Sequence, residues 1–200
     1  NVVITGHTGF KGSWLTAWMC EMGANVTGIG LEPVDRISNF NVCALANKIT
    51  DLRINVKNSS QIKEAIENAK PDFIFHLAAQ ALVKESYDDP INTWETNVIG
   101  TVNVLNSLRD LKKKCVAIMI TSDKCYDNVE WIWGYRETDK LGGPDPYSAS
   151  KGGAELAIQS FYRSYFRESK TIKVASVRAG NVIGGGDWSV NRIIPDCVKA

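Results

Sequence analysis

Three glycines near the start limit what this chain can fold into. Val2, Val3 and Ile4 form a short apolar run, and Thr5-Gly6-His7-Thr8-Gly9-Phe10-Lys11-Gly12 follows at once. Trp14, Leu15, Trp18, Met19 and Met22 then recur at helical spacing. The order is strand, glycine-rich turn, helix. Its glycines permit a tight reversal and close backbone approach to a pyrophosphate. The first N–H groups of the helix have no intrahelical acceptor and face such an anion. The spacing is Gly-x-x-Gly-x-x-Gly rather than the commoner Gly-x-Gly-x-x-Gly. Its place directly after a first strand is what points to a dinucleotide.

The alternation continues. A second strand is expected over 25–31, ending at Glu32, and a short third one over 48–50, ending at Asp51-Leu52. Ser59 or Ser60 can cap a helix over about 61–69. Asp72 to Leu77 reads as a buried strand running into Ala78-Ala79, whose small side chains leave room for a cofactor. Apolar residues at 91, 94, 98, 102, 105 and 108 mark a long amphipathic helix over 91–111. Strands at 116–120 and 174–177 bracket a helix after Pro146. Strands alternating with helices mean an α/β chain with a doubly wound, mainly parallel sheet, the Rossmann fold. That domain is expected over 1–180, with the Gly184-Gly185-Gly186 loop leaving the sheet and 181–200 opening a substrate-binding region. Glu32 stands twenty residues beyond Gly12, where an acid meets the adenosine ribose hydroxyls and favours NAD over NADP. Arg36 nearby could instead accept a 2′-phosphate.

Composition removes other classes. The net charge of +1 gives no pull toward nucleic acid or an anionic membrane, and no apolar run is long enough to span a bilayer. The opening residues read as a strand, not a signal peptide. Five scattered cysteines, at 20, 43, 115, 125 and 197, lack any Cys-x-x-Cys pair, as expected of reduced thiols in a cytoplasmic protein without structural zinc. His7 and His76 have no metal-ligand companion close in sequence, so no metal is expected.

The chemistry is concentrated between 121 and 151. Ser122-Asp123-Lys124 follows the apolar strand at 116–120, at the sheet edge where ligands bind in open α/β folds. Tyr147 and Lys151 are four residues apart and share a helical face. A phenol can serve as base for an alcohol, and a neighbouring ammonium favours its ionised form. The pattern fits a nicotinamide-dependent enzyme acting on a sugar alcohol.

Several strings together are identified with the extended short-chain dehydrogenase/reductase family: Thr5-Gly6-x-x-Gly-Phe-x-Gly, Asp51-Leu52, His76-x-Ala-Ala, Asn97-x-x-Gly-Thr, Tyr147-x-x-x-Lys151 and Arg178-x-x-Asn181. Within it the chain most resembles the CDP-glucose 4,6-dehydratases, through 6–14, 121–128, 131–137 and 178–188. The resemblance implies NAD as cofactor, held by Gly6, Thr8, Gly9, Phe10, Lys11, Gly12, Glu32, Asp51, Leu52, Leu77, Ala78, Ala79, Gln80, Asn97, Tyr147, Lys151 and Gly180. Phe10 and Lys11 would meet the pyrophosphate, Asp51 and Leu52 the adenine. Ser122, Asn181 and Arg192 would bind the nucleotide-sugar substrate, Ser122 at the C4 hydroxyl and the other two at the pyrophosphate. Ser122, Asp123, Lys124, Tyr147 and Lys151 would be catalytic. The implied reaction oxidises C4, eliminates water across C5–C6 and returns hydride to C6, giving a 4-keto-6-deoxy sugar nucleotide of the kind used in lipopolysaccharide O-antigen. The dTDP-glucose enzymes carry Asp-Glu where this chain has Asp123-Lys124, which leaves the C5 base open. A 4-epimerase or a 5-inverting dehydratase of the same fold, or a non-catalytic nicotinamide sensor, are the alternatives. Family members also continue into a substrate domain beyond residue 200, and pair through a four-helix bundle as dimers or tetramers.

Overall fold

The structure, a computed structural model, describes residues 1–200. Six strands, β1 (Val2–Thr5), β2 (Val26–Gly30), β3 (Thr50–Arg53), β4 (Phe73–His76), β5 (Cys115–Ile120) and β6 (Ile172–Val177), form one sheet. Their order is β3-β2-β1-β4-β5-β6, and every pairing is parallel. The chain turns outward in opposite directions from β1 and β4, so the crevice for a ligand opens beyond the C-terminal ends of those two strands. The expected doubly wound sheet is borne out.

The helices are α1 (Phe10–Glu21), α2 (Asn39–Val42), α3 (Ser59–Ala69), α4 (Val83–Asp88), α5 (Pro90–Trp94), α6 (Gly100–Leu108), α7 (Pro146–Phe161) and α8 (Ile193–Lys199). Side chains alternate across each strand, so the sheet feeds two cores. Val3, Ile74, Ala117 and Met119 meet Ile62, Ile66, Val104, Leu105 and Leu108 on one face, while Val2, Ile4 and Val26 meet Leu15 and Met19 on the other.

Several boundaries differ from the sequence expectation. Residues Leu45–Lys48 form a 3₁₀ turn that buries Leu45, so β3 begins at Thr50 and holds Asp51 and Leu52 within it. Asn58, not Ser59 or Ser60, caps α3, accepting the Gln61 N–H at 3.2 Å. The long helix expected over 91–111 is interrupted by a π turn at Glu95–Ile99 between α5 and α6, and α6 ends at Leu108. In α1, Leu15 and Met19 face the core, but Trp14, Trp18 and Met22 point outward. The inner face there is Gly12, Ser13 and Thr16, small enough for the helix to lie close to the sheet.

Candidate active site

The glycine turn is built for close approach. Gly6 has φ +73°, and a Cβ there would lie 2.8 Å from the Ala78 nitrogen. At Gly12 a Cβ would sit 2.0 Å from the Gly6 carbonyl oxygen, so α1 can start against the turn only without a side chain. Gly9 is the N-cap of α1 and supplies no side-chain hydrogen bond, leaving the first N–H groups open to an anion. Lys11 follows; burial of its amine and the Arg192 charge push its pKa down. The loop after β6 returns over this turn: the Trp14 indole N–H donates to the Gly185 carbonyl at 2.8 Å, and Gly184 lies against the Phe10 ring. The Arg192 charge acts on both Lys11 and Tyr147, while its own Nε stands 3.7 Å from Asp187.

At the ends of β2 and β3, Glu32 is exposed and 3.5 Å from the Arg53 guanidinium. Arg53 also donates to the Leu31 carbonyl at 2.9 Å and to Asp51 Oδ2 at 2.8 Å. Asp51 Oδ1 meets His7 Nε2 at 2.7 Å. Burial of the imidazole outweighs Asp51 and lowers the His7 pKa, so His7 is neutral near pH 7. Arg53 carries no motif signal, and His7, although within the glycine turn, gives no sign in sequence of reaching Asp51.

Along the β1–β4 crevice, the Ala78 N–H donates to Thr5 Oγ1 at 3.2 Å, and Thr5 Oγ1 contacts His76 Nδ1 at 2.7 Å. His76 Nε2 reaches Thr101 Oγ1 at 3.1 Å. Burial, helped by the Lys151 charge, takes the His76 pKa down to about 3, so this ring is a neutral bridge. Leu77, Ala78, Ala79 and Gln80 follow as backbone. Asn97 sits in the π turn with its amide committed to protein: Oδ1 accepts from Gln80 N at 2.9 Å, and Nδ2 donates to the Gln80 carbonyl at 3.0 Å and to Ser150 Oγ at 2.8 Å. Asn97 therefore ties the crevice backbone to α7.

Ser122 caps the 3₁₀ turn Asp123–Cys125 at the end of β5, and its hydroxyl donates to Asp123 Oδ1 at 3.0 Å. Lys124 Nζ stands 3.8 Å from the same carboxylate, and both side chains are half-exposed. Asp145 caps α7 and accepts the Ser148 N–H at 2.9 Å, which aims Tyr147 and Lys151 inward from its first turns. Lys151 Nζ lies 5.9 Å from the centre of the Tyr147 ring. The expected lowering of the Tyr147 pKa is not what the structure gives. Burial raises it, and the Ser122 hydroxyl and Arg192 only partly oppose that. Lys151 is itself pushed down to about 8 by burial and by Lys11. A buried phenol beside a partly desolvated amine keeps its proton until further positive charge enters the crevice. Gly180 lies beside Asp123, and Asn181 is exposed on the loop beyond.

Below these groups Glu155, on α7, accepts from the Thr121 hydroxyl and from Arg178 Nε and Nη2 at 3.0 and 2.9 Å. Arg178 also donates to the Tyr126 hydroxyl at 2.7 Å and the Glu137 carbonyl at 3.2 Å. Tyr126 stacks on Tyr135, which packs on Trp131, so one ion pair anchors the arm carrying Trp131 and Trp133. No three His, Cys, Asp or Glu side chains gather as a metal site requires, and no helix is long and apolar enough to cross a membrane.

Comparison with known proteins fits this geometry. The family model described as GDP-mannose 4,6 dehydratase matches residues 3–184. The chain belongs to that family. The expected place among the extended short-chain dehydrogenases/reductases is thereby borne out. The chain is 47% identical over 203 residues to the CDP-glucose 4,6-dehydratase of Salmonella typhimurium, covering 100% of this chain and 56% of that protein. It is 31% identical over 211 residues to the dTDP-D-glucose 4,6-dehydratase of Dictyostelium discoideum, covering 99% of this chain and 47% of that one. The chain thus spans about half the length of these relatives. A double mutant of the dTDP-glucose 4,6-dehydratase from Streptomyces venezuelae, solved with NAD bound, superposes with a TM-score of 0.83 at 21% identity, over 100% of this chain and 61% of that one, a likeness of fold.

Proposed function

We propose that this chain is the cofactor-binding part of an NAD-dependent nucleotide-sugar 4,6-dehydratase, with CDP-glucose as substrate. The observation that carries the reading is the meeting of Ser122 and Asp123, from the end of β5, with Tyr147 and Lys151 on α7 beside the glycine turn. The identity to a CDP-glucose enzyme favours that nucleotide.

The chain fits NAD where a side chain would not: a Cβ at Gly6 would strike Ala78, and the α1 N-terminus carries no side-chain cap. Phe10 and Lys11 would meet its pyrophosphate, Glu32 its adenosine ribose, Asp51 and Leu52 its adenine, and Lys151 its nicotinamide ribose. NAD supplies the hydride acceptor for C4 and later the donor for C6. Tyr147 takes the C4 hydroxyl proton while Ser122 holds that hydroxyl; a positive nicotinamide ring, when bound, would add charge that favours the phenolate. The 4-ketone acidifies the C5 hydrogen, which Lys124 or a neighbouring group removes. Asp123 gives its proton to the C6 hydroxyl as it leaves as water. Arg192 and Asn181 hold the substrate pyrophosphate.

Two copies are proposed to pair through α5, α6 and α7. Ile91 is 72% exposed and Trp94 42%, and with Pro90, Val98 and Ile99 they line an open apolar groove. Leu156, Tyr162 and Tyr165 are exposed along α7 and the turn after it. The deciding experiment incubates the intact protein with CDP-, dTDP-, UDP- and GDP-glucose. A product lighter by one water from CDP-glucose supports the reading; an unchanged mass with inversion at C4 makes the protein an epimerase.

A further inference from the structure

We propose that His7 is a positioning residue for adenine recognition, fixing the Asp51 carboxylate so that its free lone pairs face the adenine amino group. This rests on the reading of Asp51 as the adenine contact.

His7 lies in the glycine turn, yet its side chain is fully buried and leans across β2 to reach Asp51 on β3 at 2.7 Å. The strand is cleared for it. A Cβ at Gly28 would lie 2.3 Å from the imidazole Cδ2, and one at Gly30 would lie 3.1 Å from Nδ1. Neither glycine has a positive φ, so close approach rather than a turn requires them. Phe40 closes the ring from the side, edge-on at 5.2 Å. The Asp51 carboxylate can only accept, so the ring proton belongs on Nε2, which faces it. Arg53 holds the other carboxylate oxygen at 2.8 Å. A carboxylate offers about four lone-pair sites, so two stay free, and clamping each oxygen once sets the plane in which they point. The imidazole thereby joins the pyrophosphate turn to the adenine edge through one hydrogen bond.

The test compares AMP with IMP, which carries an oxo group where adenine has its amino donor, by calorimetry on the nucleotide-free intact protein. The unmodified protein should prefer AMP by about tenfold, the worth of one hydrogen bond to a charged group. Asp51→Ala should abolish the preference. His7→Leu, which keeps bulk and loses the donor, should reduce it to about twofold even with Asp51 in place, and His7→Gln, which can restore a donor, should recover it. Should His7→Leu not fold, Gly28→Ala drives the ring off Asp51 without removing it and should show the same loss. Full preference in His7→Leu or Gly28→Ala, with loss in Asp51→Ala, overturns the role of His7. Full preference in Asp51→Ala overturns the adenine reading and this inference with it.

Discussion

Arg178→Met should destabilise the protein in a way that depends on pH. Arg178 and Glu155 form a two-point ion pair at 2.9 and 3.0 Å, with side chains only 13% and 1% exposed. Removing the cation leaves Glu155 buried with only the Thr121 and Ser176 hydroxyls as donors nearby. Breaking a buried pair from one side costs about 3–5 kcal/mol, and thus about 10 °C in melting temperature for a domain of this size. In the unmodified protein burial pulls the Glu155 pKa up, but Arg178 and Thr121 pull it further down. A depressed carboxylate adds its stability above the unfolded value of about 4.3 and loses it as pH falls. In the variant burial acts with Arg178 gone, so the folded pKa rises above the unfolded one. The cost then grows with pH by up to about 1.4 kcal/mol per unit until that raised value is reached. Urea unfolding at pH 5 and pH 8 should show the gap between the two proteins widest at pH 8 and much smaller at pH 5. Adding Glu155→Leu to Arg178→Met should restore part of the loss, because the buried charge is gone. An equal gap at both pH values would show that a stranded Glu155 charge is not the cause.

Three further outcomes are expected. Tyr147→Phe should bind NAD and substrate with near-normal affinity yet lose at least about a hundredfold in C4 oxidation, read by absorbance in a single turnover; a near-normal rate removes Tyr147 as base. Asp123→Asn and Lys124→Met should both oxidise C4 and stop before water is lost. Solvent deuterium should then enter C5 in Asp123→Asn but not in Lys124→Met, and wild-type exchange in the latter would clear Lys124 of the base role. Ile91→Glu, placed in the exposed groove beside Trp94, should shift the protein to a monomer by sedimentation, whereas an unchanged mass would place the interface elsewhere.

The central strands were legible because a parallel strand covered on both faces reads as a near-continuous apolar run, as in Cys115–Ile120, whereas β3, Thr-Asp-Leu-Arg at the sheet edge, offers no such run. The π turn at Glu95–Ile99 was not, because the apolar residues at 91, 94, 98, 102 and 105 satisfy a continuous helix just as well. Asn97 within that turn is bonded to Gln80 and Ser150, and neither partner is visible from spacing. The α1 stripe misled for a related reason. Large residues at helical spacing suggest a core face, but the glycine turn sets α1 so close to the sheet that only Gly12, Ser13 and Thr16 fit beneath part of it, leaving Trp14 and Trp18 outside.

The site divides along the same line. Residues assigned to ligands by motif could be named at once, while the groups that hold them could not, because their partners are set by tertiary structure. His7 and Asp51 are 44 residues apart, and Arg178 and Glu155 are 23 apart. Yet each pair left a mark that physical chemistry can read. Glu155 follows Lys151 by one turn and sits between Ala154 and Ile158 on the inward face of α7. A carboxylate there must be paired or pushed to neutrality, so a cation at a sheet edge was required, and Arg178 at the end of β6 supplies it. Gly28 and Gly30 alternate in a strand where neither turns the chain, which means that another side chain occupies the space above both. Such marks say that a partner exists before they say which one. A change at Glu155 should disturb Tyr147 and Lys151 through their shared helix, and a change at His7 should disturb Asp51 through a single hydrogen bond.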